Sequence, residues 1–321
     1  MADRPITLHT TPLTAEQVGK LKDVLRSQGF EFSPKPYTLY FAQKDKLTAA
    51  VYEKGPKLVL QGRGAGDFVQ FHLEPEVLGE ARLGYEELHQ PEMFAPHFGV
   101  DESGKGDFFG PLVIAGVYVD RGIARQFMEA GVTDSKRIGS DKKIRDLAKL
   151  IKSTQGAVQS VVEIGPEKYN EMIARNKNLN RVLAWGHARV IENLLGLRGD
   201  CPRALSDQFA NPKMIENALM EKGKAIVLEQ RTKAESDFAV AAASILARER
   251  FIDWLEKTGR HFQKVIPRGA SAQVKQTARE LVAAHGPEIL RKIAKTHFKT
   301  ASEIDPELFP LVVRPPFQKR A

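Results

Sequence analysis

The chain has little cysteine and no long apolar run, and each shortage excludes a class of protein. A single cysteine, Cys201, stands among 321 residues. It has no partner for an internal disulfide and cannot build a cysteine zinc site. No apolar stretch approaches the ~18 residues that a membrane helix needs. The start, MADRPITLHT, lacks the apolar core of a secretory signal, so the expected address is the cytoplasm. Internal repeats and low-complexity segments are also missing, which removes collagen-like and rod-like architectures.

What remains is ordinary globular usage, with 42% hydrophobic and 27% charged residues. At roughly 150 residues per domain the length suggests about two domains, each able to bury a core. The net charge is +8, a balance that permits an anionic partner. It is unevenly spread: residues 1–72 carry +3, residues 73–95 carry −5 and residues 96–321 carry +10. An acidic stretch therefore separates two basic blocks.

The first block, 1–72, reads as a small α+β domain. Thr14 and Gln17 form a capping-box pattern, with Val18, Leu21, Val24 and Leu25 at helical spacing and Gly29 closing the run. Strand patterns follow at Tyr37–Ala42, Leu47–Tyr52 and Lys57–Gln61. Tyr37, Tyr40, Lys44, Lys46, Tyr52, Lys54 and Lys57 interleave aromatic and basic groups around this meander. The pattern fits a nucleic-acid face and fits a solvated sheet nearly as well. Residues 73–95, with Pro75, Gly79, Gly84 and Pro91 among many Glu, read as an acidic linker.

From Phe98 the pattern alternates between strands and helices. Apolar strand runs occupy Pro111–Tyr118 and Ala157–Ile164, Leu205 ends a short strand, and Ala225–Leu228 is a fourth. Helical patterns cover Lys142–Lys152, Glu167–Leu195, Phe238–Lys257 and Ala272–Ala284. This predicts an α/β domain with a mixed sheet.

The chemistry concentrates in acids at strand and helix ends. Asp101 and Glu102 precede Gly104-Lys105-Gly106 and a buried run. Adjacent carboxylates at such an edge are unfavourable unless paired or bound to a cation, and hard divalent cations take carboxylate oxygen. Neighbouring side chains on a strand point to opposite faces, so a shared site needs a strand end or a turn, which Gly104 can supply. Asp207 follows a short apolar run, where ligand sites of open α/β sheets gather. Glu235 precedes an Ala-rich helix, where an acid also interacts favourably with the helix dipole, and Asp237 competes with it for either role. Ala241, Ala242, Ala243 and Ala247 give that helix little bulk, so a sheet can approach closely. Gly104-Lys105-Gly106 is too short for a phosphate loop, but its exposed backbone suits a sugar-phosphate chain, and a 2′-hydroxyl can both donate to and accept from such groups.

Taken together, these segments closely resemble the bacterial type 2 ribonucleases H, and among them ribonuclease HIII. The resemblance rests on DESGKGDFFGPLVIAGVYV (101–119), TDSK (133–136), NLNRVLAWGHARVIENLL (178–195), SDQF (206–209), KAESDFAVAAASILAR (233–248), IPRGAS (266–271) and AKTHF (294–298). It implies a ribonuclease-H-like mixed sheet flanked by helices, preceded by a small TATA-binding-protein-like domain that helps bind substrate. It implies Asp101, Glu102, Asp207 and Glu235 as the catalytic, metal-binding acids for two divalent ions, Mg²⁺ or Mn²⁺. It also implies Gly104, Lys105, Gly106, Ser135 and Lys136 as substrate contacts. The implied reaction is hydrolysis of the RNA strand of an RNA–DNA hybrid, with no membrane partner and a monomer as the expected state. Gly-Lys-Gly in place of Gly-Arg-Gly, Glu235 in place of Asp, and the extra N-terminal block separate the chain from the related ribonuclease HII. Incision at single embedded ribonucleotides, hybrid binding without cleavage, and a DNA-directed metal nuclease stand as alternatives. His187, His285 and His297 have no place on this route, and a structural role is the expectation for His187.

Overall fold

The computed structural model describes residues 6–79, 90–207, 213–219, 223–232 and 234–305. The chain divides into two compact units between Glu92 and Met93. No helix among the described residues is long and apolar enough to cross a membrane.

The first unit is built on β1 (Leu8–Pro12), α1 (Ala15–Ser27), β2 (Glu31–Ser33), β3 (Thr38–Lys44), β4 (Leu47–Tyr52) and β5 (Lys57–Gly62). The strands form one antiparallel sheet in the order β1-β5-β4-β3-β2. Thr14 accepts a hydrogen bond from the Gln17 amide while the Gln17 side chain accepts one from the Thr14 amide, so the capping box is formed. α1 buries Leu21, Val24 and Leu25 against Tyr40, Ala42, Ala49, Val51, Leu58 and Leu60. Those sheet residues alternate along their strands, as a half-buried sheet requires.

Two parts of the unit depart from the sequence expectation. A helical turn, Ala65–Phe68, runs into a wide π-type helix, Val69–Leu78. Its Leu73 and Val77 lie in the first core, so residues 73–78 belong to this packing although Pro75 and the two acids beside it suggested a connector. Tyr40 also faces inward, donating its hydroxyl to the Val18 carbonyl at 2.8 Å. Half-exposed Phe41 and Tyr52 and exposed Lys57 occupy the outer face instead.

The second unit holds β6 (His97–Ser103), β7 (Leu112–Val119), α2 (Arg121–Glu129), α3 (Asp141–Ser153), β8 (Gln159–Ile164), α4 (Pro166–Asn176), α5 (Leu179–Leu197), β9 (Arg203–Asp207), β10 (Val227–Arg231), α6 (Phe238–Phe262) and α7 (Ala272–His285). The sheet order is β10-β9-β6-β7-β8. β6, β7 and β8 are antiparallel neighbours, whereas β9 runs parallel to both β6 and β10. Every residue of β7 is buried, because the sheet is covered on both faces.

α6 covers one face of that sheet and α5 the other. The Ala-rich stretch of α6 does allow a close approach: a Cβ on Gly99 of β6 would lie 2.2 Å from the Ala239 carbonyl carbon and from the Val240 nitrogen. The single helix expected over Glu167–Leu195 is two helices. Lys177 takes a left-handed φ of 50°, and Asn178 then caps α5 by accepting from the Asn180 amide.

Candidate active site

Register decides which acids meet. Val100 on β6 pairs with Ser206 on the parallel strand β9. Asp101 and Asp207 are the next residues, so both emerge at the same carboxyl-end edge of the sheet. Strand alternation then assigns faces. Gly99 lies against α6, so Asp101, two residues on, faces the same side. Leu205 packs with Val240 of α6 and with Ala234, and Asp207 has its parity. Glu102 and Ser206 point the other way, toward α5, where both meet His187. Glu235 sits in the short turn Ala234–Ser236 that leads into α6, on the Asp101 side.

The electrostatics match this layout. Asp101 is buried, 6% exposed, and burial followed by the charge of Glu102 pushes its carboxyl well above the usual range. For Glu102, burial acts in the same direction but is outweighed by the hydrogen bond and charge of His187, with Lys105 and Lys136 adding to them, so its pKa is lowered. Burial pulls the Lys136 ammonium down, yet the charges of Asp101, Asp134, Glu235 and Glu102 more than offset that and raise it. One cationic side chain therefore lies within the field of three of the four predicted acids. Among the described residues, no three His, Cys, Asp or Glu side chains form a ready-made metal cage: Glu102 is turned to His187, on the opposite face of the sheet from Asp101.

The predicted substrate residues are held from two directions. Ser135 is buried; its amide donates to the Ser244 hydroxyl of α6 at 2.9 Å, and its carbonyl accepts from Arg248. Asp134 accepts from the Lys136 amide at 3.1 Å and so caps this turn. Gly104 has a left-handed φ of 87°, and a Cβ there would lie 2.2 Å from the Pro111 carbonyl oxygen. Lys105 places its Nζ 3.6 Å from Glu102 Oε1, and Gly106 has open space around it. The rest of this loop is anchored by the fully buried Lys295, whose ammonium donates to the Asp107 carbonyl at 2.9 Å and the Gly110 carbonyl at 2.6 Å. Asp107 also accepts from the Gly269 amide at 2.6 Å.

Three residues stand apart from the sequence reading. Asp237 is the N-cap of α6, accepting from the Ala239 and Val240 amides, and it also contacts buried His97 at 2.9 Å. Its carboxylate is thus engaged in structure. His187 is fully buried and bonded to Glu102, a contact that no spacing within α5 reveals. His297 packs against Tyr169 and Phe298, and burial with the nearby Lys295 charge lowers its pKa to about 4.

Comparison with known proteins gives a consistent picture. The family model described as ribonuclease HII matches residues 98–301. The chain is 44% identical to a ribonuclease HIII of Protochlamydia amoebophila over 294 residues, covering 92% of this chain and 95% of that one. It is 42% identical to a ribonuclease HIII of Chlamydia caviae over 300 residues, covering 93% and 97%. The crystal structure of Bst-RNase HIII in complex with Mn²⁺ superposes with a TM-score of 0.64 at 26% identity, covering 93% of this chain and 98% of that one.

Proposed function

The chain belongs to the ribonuclease HII family, among its ribonucleases HIII, and from that premise we propose that it cleaves the RNA strand of RNA–DNA hybrids endonucleolytically with divalent metal ions. The observation that carries the site assignment is the parallel β6–β9 register, which brings Asp101 and Asp207 to one edge. Asp101, Glu102, Asp207 and Glu235 are the acids that hold the ions. The fit is chemical: carboxylate oxygens suit hard divalent cations, and a buried, mutually repelling pair such as Asp101 and Glu102 gains most from a positive charge. The Mn²⁺ in the Bst-RNase HIII structure supports a divalent ion here, either Mg²⁺ or Mn²⁺.

Two bound ions supply the activation of water and the stabilisation of the leaving oxygen. The protein's own groups do the rest. Asp101 and Asp207 define the reacting edge, and Glu102 enters from the α5 side. Lys136 balances the acids and meets the scissile phosphate, with Ser135 fixed beside it by α6. Gly104, Lys105 and Gly106 present backbone groups and one cation to the ribose-phosphate chain, on a loop held by Lys295. In-line attack leaves a 5′-phosphate and a 3′-hydroxyl. The first unit serves as the substrate-binding module. Its outer sheet face offers Phe41 and Tyr52, with the Lys35 ammonium 4.7 Å from the Phe41 ring centre.

The test is a pair of substrates: a hybrid with a run of ribonucleotides and a duplex with one embedded ribonucleotide. Efficient cutting of the first, with 5′-phosphate ends, supports this reading. Preferential cutting of the second moves the chain to the ribonuclease HII type of activity.

A further inference from the structure

The metal-directed carboxylate on the α5 side is not held by the strand alone. Glu102 Oε2 lies 3.1 Å from His187 Nε2, and His187 Nδ1 lies 2.9 Å from the Ser206 hydroxyl. His187 and Ser206 are fully buried. An ionised carboxylate only accepts hydrogen bonds, so Nε2 carries the proton and donates it. Nδ1 faces the Ser206 hydroxyl, which also reaches the Asp207 carbonyl at 3.1 Å. Ser206 directly precedes Asp207 on β9. A single side chain from α5 therefore spans the two strands that deliver Glu102 and Asp207.

We infer that His187 is a positioning residue: with Ser206 as its anchor, it fixes the Glu102 carboxylate so that Oε2 is held by the protein and Oε1 is presented to the metal. The inference rests on the proposed role of Glu102 as a metal ligand. Oε1 is the oxygen that faces Lys105 Nζ, at 3.6 Å, on the side of the glycine loop. Free rotation of Glu102 would otherwise let either oxygen turn to the core. Partners of this kind change metal affinity by about 10–100-fold when removed.

The test measures Mn²⁺ binding to the full chain by titration calorimetry, with cleavage read separately. His187→Leu fills the buried space but donates nothing, and should weaken Mn²⁺ binding by about 10–100-fold. His187→Gln keeps an amide donor near the Nε2 position, and should recover most of that loss. Ser206→Ala, the gentler change, should weaken binding by less than His187→Leu, and it serves if the leucine variant does not fold. Nitrogen-15 NMR of the wild-type His187 ring should find Nε2 protonated. Glu102→Gln separates the two levels of the argument. If it leaves Mn²⁺ affinity unchanged, Glu102 is not a ligand and the underlying reading fails. If it weakens binding while His187→Leu and Ser206→Ala do not, the positioning role alone is overturned. A proton on Nδ1 with none on Nε2 overturns it as well.

Discussion

Asp101 and Asp207 leave the sheet side by side because Val100 and Ser206, one residue earlier, are paired in parallel register. Every functional statement above depends on that placement. On the proposed assignment, removing one of these carboxylates takes away a metal ligand and leaves the proposed hybrid-binding groups in place. Asp207→Asn should lower the cleavage rate on the order of 10³-fold, the equivalent of several kcal/mol of transition-state stabilisation. Hybrid affinity measured in parallel should stay within a few-fold of wild type.

Asp101 carries a stability prediction with a definite sign. Its native carboxyl titrates well above the ordinary value because it is buried beside Glu102. As pH rises, the unfolded chain gives up this proton first, so ionising Asp101 removes stability above its ordinary pKa. Asp101→Asn stays neutral throughout. It should raise the melting temperature of the metal-free protein near pH 7 by a few degrees or more. Added Mn²⁺ should raise the wild-type melting temperature and leave that of the variant nearly unchanged.

Glu235 and Asp237 should separate cleanly. Asp237 caps α6 and contacts His97; Asp237→Ala should cost about 2–4 kcal/mol in urea unfolding, through the lost cap and the stranded partner. Glu235→Gln should barely change stability but should weaken the binding of divalent ions and slow cleavage. The opposite pattern would exchange the two roles.

Gly99 tests the packing beneath the site. A Cβ there would meet the backbone of Ala239 and Val240 at 2.2 Å, and backbone yields less readily than a side chain. Gly99→Ala should destabilise the second unit by about 1–3 kcal/mol in denaturant unfolding, with cleavage falling as the β6 edge shifts.

Lys295 predicts a slope with pH. Burial lowers its ammonium from 10.5 to about 7. Between those values the unfolded chain holds the proton that the native chain has lost, so this group makes stability rise with pH across that window. Lys295→Met should flatten the rise in unfolding measurements from pH 7 to 10. It should also raise the hybrid KM, because the Asp107 and Gly110 carbonyls lose their shared donor.

Much of this was legible in the residues, and the exceptions have physical causes. The capping box at Thr14 and Gln17 formed, and the strand expected at Leu47–Tyr52 has those bounds. The Ala-rich run did mark the helix pressed closest to the sheet. β1 went unread because LHTTP is short, polar through its middle and ends in proline. The helix Val69–Leu78 was hidden by Pro75, which breaks an ordinary helix interior but sits here in a wider one. The break between α4 and α5 falls on Lys177, a residue with no intrinsic liking for left-handed backbone. The acids were visible one by one at strand and helix ends, and only the resemblance to the type 2 ribonucleases H joined them into a set. Their division between two faces was visible only as the parity of Asp101 and Glu102. His187 could not be found at all, since Glu102 lies 85 residues away and only the packing of α5 on β6 joins them.

The most direct measurement follows a hybrid labelled separately on its RNA and DNA strands, incubated with the wild-type chain and with Asp207→Asn while Mn²⁺ or Mg²⁺ is varied. The account predicts metal-dependent cuts in the RNA strand, an intact DNA strand, and cleavage slowed on the order of 10³-fold in the variant under conditions where it still binds the hybrid. Cleavage by the variant at near the wild-type rate, or cutting that persists in excess chelator, would contradict it.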